Sequence, residues 1–518
     1  MNIGRMLTQT AERHGDRTAF ICGDQSASYR EFDARAQALA VGLHDLGLRQ
    51  GDRVAILMWN CRELLESYYA TWLAGGCVVP LNARFQAEEI VYHVSNPASA
   101  VLIFGEEFRE TIAAIMPRLG TVKHFIVVGE PLAGQIAYDD LLKAWMGNRA
   151  PELPVTDDDL AWLFYTSGTT GSPKGAMLTH GNLTFVAVTW VADLMHLEPE
   201  DIAVHAAPLT HGAGFHALAL TMKACTQVIP PSHRFDPELF CATVQEHKVT
   251  NTWLVPTQIK MLLQYPELNK WDLSSLRWVV YGGAPMYTAD LKDALQRIGP
   301  VFVQLFGQGE TPMTATYLRR EEHIAEGPGS ERLESCGHAR SGIEVAILGG
   351  EDEELPRGDV GEICVRGPSV MRGYWGMEQA TAEALRGGWL HTGDVGSMDQ
   401  QGYVYILDRR KDMIISGGEN IYPREIEEVL MQHPAVAEAC VVGVPHQLWG
   451  EAVKALIVLD PGASASEEEI IAFVGARLAG YKKPKSVEFV EELVKNAYGK
   501  LQRREIRKRY WVEQARQV

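Results

Sequence analysis

Cysteine is thinly spread. The 518-residue chain has eight, Cys22, Cys61, Cys77, Cys225, Cys241, Cys336, Cys364 and Cys440, and no two form a CxxC pair. Neither a disulfide framework nor a zinc knuckle is therefore written in it, and a reducing cytoplasm is the expected compartment. Long apolar runs are missing as well. No stretch reaches the roughly 18 residues that a membrane-spanning helix requires. The opening MNIGRMLTQTAERHGDRTAF lacks the apolar centre of a signal peptide, with Ile3, Met6 and Leu7 at helical spacing instead, and the closing EQARQV carries no peroxisomal address. Basic excess is absent: 48 Lys+Arg against 66 Asp+Glu give a formal net charge of -18, which argues against a nucleic-acid-coating role. With 46% hydrophobic and 22% charged residues, the chain has the apolar material for buried cores and too little charge for disorder. Its length calls for several folding units.

Apolar segments are plentiful but short. RVAILM (53–58), SAVLIF (99–104) and HFIVVG (124–129) alternate with helix-like stretches such as YREFDARAQALAVGLHDLG (29–47). This is the rhythm of buried strands joined by helices. It returns in NLTFVAVTWVADLM (182–195), LRWVVYGG (276–283) and VFVQLFG (301–307), so at least two such sheets are expected. From about Gly337 the texture changes to glycine-punctuated β segments, GIEVAILGG (342–350), GEICVRGP (361–368) and GYVYILDRRKDMIISGG (402–418), read as small antiparallel or barrel-like structure. After Asp408 come a helix signal, YPREIEEVLMQHP (422–434), strands EACVVGV (438–444) and VKALIVLD (453–460), a second helix, SEEEIIAFVGARLA (466–479), and a basic tail. That order predicts a compact α+β cap.

YTSGTTGSPKG (165–175) concentrates glycines, hydroxyls and one lysine between two apolar stretches. LAWLFY (160–165) reads as a buried strand, and GAMLTHGNL (175–183) as a second strand running into a helix that Thr179 can cap. Glycine lets backbone N–H groups turn inward, hydroxyls add donors without bulk, and Lys174 adds positive charge, a combination suited to a polyphosphate. Pro173 precedes Lys174 and no Gly-Lys-Ser/Thr closes the loop, so a Walker A loop is not expected. Taken alone, such a run also suits a plain hairpin turn.

The same string resembles the phosphate-binding signature of the adenylate-forming superfamily, which contains acyl-CoA synthetases, luciferases and the adenylation domains of peptide synthetases. GGAP (282–285), FGQGE (306–310), TGD (392–394), DRRKD (408–412) and NAYGK (496–500) follow in that superfamily's order and approximate spacing. The resemblance implies an α/β fold. Residues 1–407 then form a large multi-sheet adenylation domain, with two αβ layered sheets and a β-barrel-like part. Residues 408–518 form a small mobile α+β domain hinged near Lys411.

It also implies roles for individual residues. Thr166, Ser167, Gly168, Thr169, Thr170, Gly171 and Lys174 cradle the ATP phosphates, and Glu310 with Thr166 holds Mg2+. Gly283, Ala284, Pro285, Phe306 and Gly307 surround the adenine, and Asp394 takes the ribose hydroxyls beside Arg409. His211 guards the mouth of the acyl pocket, and Lys500 contacts the reacting carboxylate and α-phosphate. Ser416, Gly417, Gly418, Trp449, Lys483 and Lys485 are implied for CoA, the last three from PHQLWGEAV (445–453) and YKKPK (481–485). Read without the resemblance, Glu310 and the lysines are ordinary solvated charges and Asp394 an Asx turn. Zinc is not expected at His205, His211 and His216, which lack HExxH spacing and an interleaved carboxylate. Three positions depart from the usual pattern: Phe306 replaces a commoner Tyr, Gly309 replaces a Thr whose hydroxyl touches phosphate, and Val494 replaces a frequent Pro.

The implied activity is ATP-dependent activation of a monocarboxylic acid through an acyl-adenylate, with transfer to CoA. Its rivals are loading of a carrier-protein thiol and a nucleotide-binding regulator without turnover. His216 and Ala217 follow Phe215 where amino-acid adenylation domains usually offer an aspartate to the α-amine, so an amino-acid substrate is disfavoured. GFHALAL (214–220), NTWLVPTQIKMLL (251–263) and TPMTA (311–315) are mostly apolar and favour a fatty or aromatic acid. The sequence leaves oligomeric state open, a homodimer included.

Overall fold

The short apolar runs of the first half become inner strands. In this computed structural model, which describes every residue except 167–172, 285, 410, 417–418, 496–500 and 512–518, a seven-stranded sheet runs in the order Ile136–Ala137, His124–Val128, Val101–Gly105, Arg53–Leu57, Cys77–Leu81, Leu160–Thr166, Lys174–Thr179. Its neighbours are parallel except the last pair, a hairpin in register from Leu160↔Thr179 to Thr166↔Lys174. Parallel strands are buried on both faces, which is why they read as continuous apolar runs and not as alternation. A nine-stranded sheet carries Asn251–Leu254, Trp278–Tyr281 and Phe302–Gln308 in parallel, followed by Thr311–Leu318 antiparallel.

Helices fill the space between these sheets. Tyr29–Asp45 is started by Ser28, whose hydroxyl accepts from Glu31 N while Glu31 reaches back to Ser28 N, and ten of its residues are buried. His180–Thr189 is capped by Thr179 through Asn182 N, as its sequence anticipates. The amino-terminal helix Arg5–His14 buries Met6 and Leu7. One apolar core links both sheets, and Trp72, Trp162 and Trp190 lie fully inside it.

The glycine-punctuated segments form an open four-stranded antiparallel sheet of Glu344–Leu348, Gly361–Arg366, Leu390–Met398 and Val404–Arg409. The stretch 402–418 is divided: Val404–Arg409 belongs to this sheet, whereas Ile414–Ser416 belongs to the next. That next sheet has five strands, dominated by the long hairpin Val436–His446 with Gly450–Leu459. Helices Pro423–Leu430 and Glu467–Gly475 bury Ile426, Leu430, Ile470 and Val474 in its core. The second of these ends at Gly475, short of the predicted 479, with glycine's backbone entropy weakening its last turn.

Polar contacts fasten this unit to the rest. Tyr287 Oη donates to Glu427 Oε2 at 3.5 Å, Thr288 N donates to Glu428 Oε2 at 3.4 Å, and Lys260 reaches both the Ala437 carbonyl and Asp290. Burial pushes the Glu428 carboxyl up to about 7 from its ordinary 4.5, with Glu334 and Glu427 adding to the rise and Arg424 opposing it. Asp408 is raised to about 6, again by burial.

These shifts set a pH dependence. A carboxyl whose folded pKa is raised contributes stability that is complete below its unfolded value and disappears as pH climbs through the folded value. Glu428 therefore costs stability between pH 4.5 and about 7. Glu428→Gln, which keeps an acceptor for Thr288 N, should flatten the decline in Tm between about pH 5 and pH 8 and recover on the order of 2 kcal/mol at the upper end. Thermal melts of both proteins across that range check this; parallel pH profiles would contradict it.

Candidate active site

Two strand ends flank residues 167–172, expected at the phosphates. Thr166 ends Leu160–Thr166 and Lys174 begins Lys174–Thr179, paired directly opposite each other. Ser167, Gly168, Thr169, Thr170 and Gly171 lie outside the described residues, as do Pro285, Gly417, Gly418 and Lys500. Glu310 sits at the turn between Phe302–Gln308 and Thr311–Leu318, only 7% exposed. Its Oε1 accepts from the Thr166 hydroxyl at 2.9 Å and from the Tyr374 hydroxyl at 2.9 Å. Lys174 Nζ stands 5.0 Å from the centroid of the same Tyr374 ring. Burial and the neighbouring Glu310 push the Tyr374 phenol well up, so it stays a donor.

Neither of those bonds uses Glu310 Oε2. Carboxylate and hydroxyl oxygens are the hard donors that Mg2+ prefers, so the donor set at Glu310 and Thr166 fits that ion. Tyr374 was not foreseen; its only signal is an aromatic pair in the glycine-flanked RGYWG (372–376).

A second cluster forms where the four-stranded sheet meets Phe302–Gln308. Asp394 and Arg409 are register partners, with Arg409 Nε 2.8 Å from Asp394 Oδ1. The Asp394 carboxylate raises the Arg409 pKa further. Gln308 Nε2 donates to Asp394 Oδ2 and to the Thr392 carbonyl, both at 2.7 Å. An ionised carboxylate has about four acceptor positions, so these bonds leave capacity for a vicinal diol. Gln308 lies inside FGQGE yet had no role assigned to it from sequence. Beneath the turn, Glu362 Oε1 accepts from Gly393 N at 2.9 Å. His391 Nδ1 lies 3.1 Å from Glu362 Oε2 and 3.3 Å from Cys364 Sγ, so the trio holds the bend that carries Asp394.

Two of the residues expected at the adenine are glycines. Gly283, at φ +80°, is exposed, and a β-carbon there would meet nothing within 4 Å. At Gly307 a β-carbon would fall 2.7 Å from the Met313 and Thr314 backbones, so only glycine permits that approach. Ala284 and Phe306 are half-buried, Phe306 with its ring against the core.

His211 precedes the helix Gly212–Met222, and its ring lies 4.7 Å from that of Phe164. Phe164 explains the unusual glycine at 309: a β-carbon there would sit 2.4 Å from Phe164 Cδ1 and 2.6 Å from Thr166 Cγ2. The phenyl ring occupies what a larger residue at 309 would need.

The residues expected at CoA form a separate group. Trp449, 37% exposed, stacks on His446 with centroids 4.4 Å apart at 10°, and Lys485 Nζ lies 4.9 Å from the Trp449 ring. Lys483 lays its stem against helix residue Gly475, apart from that stack. Ser416 ends the strand Ile414–Ser416, opposite Gly450, and Lys411 is exposed in the turn between two sheets. Among the described residues no helix is long and apolar enough to cross a membrane.

Residues 7–375 match the family model described as AMP-binding enzyme, and residues 425–500 match that of the AMP-binding enzyme C-terminal domain. The chain is 40% identical over 512 residues to a feruloyl-CoA synthase of an Amycolatopsis species, covering 98% of this chain and 99% of that protein. It is 34% identical to the fatty acid–[acyl-carrier-protein] ligase ScoC of Streptomyces coeruleorubidus, covering 99% and 98%. Among solved structures, ATP-bound MatB from Rhodopseudomonas palustris superposes with a TM-score of 0.88 at 33% identity, covering 98% of both chains.

Overpacking tests the pairing of Gly309 with Phe164. Gly309→Thr should lower acid-dependent exchange of pyrophosphate into ATP about tenfold or more, since inserted bulk in a packed site costs roughly 1–3 kcal/mol. Adding Phe164→Leu should recover most of the loss, a non-additive cycle that marks the contact. Full activity in the single variant would break the link.

Proposed function

Because this chain belongs to the AMP-binding enzyme family, we propose that Glu310, Thr166, Tyr374 and Lys174 face the phosphates of ATP while Asp394, Arg409 and Gln308 hold its ribose. The protein is an AMP-forming acid–thiol ligase, an ATP-dependent acyl-CoA synthetase that works through an acyl-adenylate and uses ATP and CoA. The observation that carries the assignment of residues is the single carboxylate oxygen of Glu310, bound by hydroxyls from the phosphate-loop strand and from residue 374.

A carboxylate resists thiol attack because an oxide would have to leave, and attachment of AMP supplies a better leaving group. In the first half-reaction the acid's carboxylate oxygen bonds to the α-phosphorus of ATP and pyrophosphate departs along the loop that ends at Lys174. Lys174 and the loop's N–H groups stabilise charge as it builds there. Mg2+, held by Glu310 and Thr166, neutralises phosphate charge when bound. In the second half-reaction the CoA thiol adds to the acyl carbonyl and AMP departs. Lys500 belongs to the first step and must withdraw before the second, so residues 408–518 rotate about Lys411 to bring the 416–418 loop inward. His211 lines the acyl entrance.

For the acid, this reading selects an aromatic monocarboxylate, a ring joined to the carboxylate by a short spacer. It is supported by the feruloyl-CoA synthase relative and by the aromatic walls near His211: Gly212 faces Trp253, and Phe164 stacks on Phe215. A carrier-protein thiol is the second reading, favoured by the ScoC relative. The exposed Trp449 with Lys485 favours CoA, offering an aromatic face and a cation to a nucleotide.

The test is thioester formation with CoA and with a phosphopantetheinylated carrier across arylpropenoic and alkanoic acids, with arylpropenoates and CoA expected to give the highest kcat/KM. In the same assays Lys500→Ala should reduce adenylate formation on the order of 100-fold or more while largely sparing thioester formation from a preformed adenylate. Equal loss in both steps would remove Lys500 from its assigned role.

A further inference from the structure

The acyl side of the site contains a concentration of buried polar atoms that the mechanism does not use. His205, His216, Asn251 and Trp190 are each at most 3% exposed. His205 Nδ1 and Trp190 Nε1 have no hydrogen-bond partner among the described residues, and at His216 the neighbouring Asn251 side chain meets no more than one of the two ring nitrogens. They belong to one neighbourhood. The His216 ring stacks on Trp190 with centroids 5.3 Å apart at 16°, His205 lies 6.1 Å away edge-on, and Asn251 is the polar side chain next to His216. Native interiors seldom leave such groups unpaired, because each carries its full desolvation cost.

Their place in the fold ties them to the acid. Gly212, the first residue of the helix after His211, would with a β-carbon meet Met313 at 3.0 Å and Trp253 at 3.2 Å. Trp253 in turn packs on Trp190 at 6.1 Å. Four residues along that helix, a rise of roughly 6 Å, lies His216. A chain of contacts thus runs from Gly212, beside His211, through Trp253 and Trp190 to the polar group.

The chemistry of the group is specific. Burial holds His205 down to about 4 and His216 down to about 3, so both rings are neutral at physiological pH. His205 Nε2 faces Gln227 Oε1 at 2.9 Å, and that Gln227 amide nitrogen donates to Thr221, which makes Nε2 the donor and leaves His205 Nδ1 an acceptor. Neutral His216 supplies one donor and one acceptor, Asn251 Oδ1 an acceptor and Trp190 Nε1 a donor. None of these four side chains carries a charge, so a carboxylate would find no cation among them and an ammonium no anion. A bare alkyl end would leave His205 Nδ1, Trp190 Nε1 and a ring nitrogen of His216 unpaired.

We propose that His216, with His205, Asn251 and Trp190, forms the polar floor of the acyl site and reads an uncharged hydroxyl on the far end of the acid's aromatic ring. The proposal rests on the aryl-acid reading above and narrows it to hydroxylated rings. The hydroxyl donates to an imidazole or amide acceptor and accepts from His216 or Trp190. Sites built to bond a substrate hydroxyl reject the analogue that lacks it far more strongly than apolar pockets reject a size change.

The experiment compares 4-hydroxycinnamic acid with cinnamic acid in the full-length enzyme, reading kcat/KM for CoA thioester formation. The wild type should prefer the hydroxylated acid by about 100-fold or more. His216→Phe should bring the two acids within a few-fold of each other, and His216→Gln, which keeps a donor and an acceptor, should retain part of the preference. Asn251→Leu gives an independent reading should His216→Phe not fold, with circular dichroism and ATP binding reporting the fold. A wild-type ratio near one, or an unchanged ratio in a folded His216→Phe, overturns the proposal and leaves the group to buried water. Turnover of neither acid overturns the aryl reading itself, and this inference with it.

Discussion

One carboxylate oxygen ties together parts of the chain that are otherwise unrelated. Glu310 Oε1 receives hydroxyls from Thr166 and Tyr374, which arrive from segments far apart in the chain. A buried carboxylate is expensive unless it is bonded, so folding brings these segments together or leaves the charge unmet. Backbone bonds reinforce the meeting: Met371 N donates to the Glu310 carbonyl at 2.8 Å, and Trp375 N to Gly175 at 2.8 Å. The strand that begins with Lys174 is therefore held from one side by its hairpin partner and from the other by residues 371–375.

The second cluster follows the same logic on a different scaffold. Asp394 uses both oxygens, one toward Arg409 and one toward Gln308, so the four-stranded sheet and the strand Phe302–Gln308 are locked together at this cluster. Preorganisation of this kind lowers what a ligand must supply to order its own site.

What was legible in the sequence had local causes. Parallel strands announced themselves as apolar runs because both faces are buried, and Thr179 and Ser466 announced helix starts because a side-chain oxygen there satisfies a backbone N–H. Glu310 was singled out only through its motif. What escaped depends on contacts distant in sequence. Tyr374 matters only because the chain returns to Glu310 from 64 residues away, and nothing beside it says so. Gly309 looked like a lost hydroxyl, but its reason is the ring of Phe164, a neighbour in space alone. The neutral histidines at 205 and 216 could be counted from sequence, whereas their burial and unmet bonds belong to the packing.

The divided stretch 402–418 constrains any shuffling of parts among relatives. Asp408 lies on the four-stranded sheet's side of the turn at Lys411, yet its carboxylate accepts from Arg424 N at 2.9 Å and faces the Arg503 guanidinium, which also pairs with Glu427. A chimera joined downstream of Asp408 would take Arg424 and Arg503 from one parent and their acceptor from the other. A graft joined ahead of Val404 carries the whole ion cluster with it, but it also transplants Arg409 and so parts it from the recipient's own Asp394 partner, leaving that pair to match across the junction.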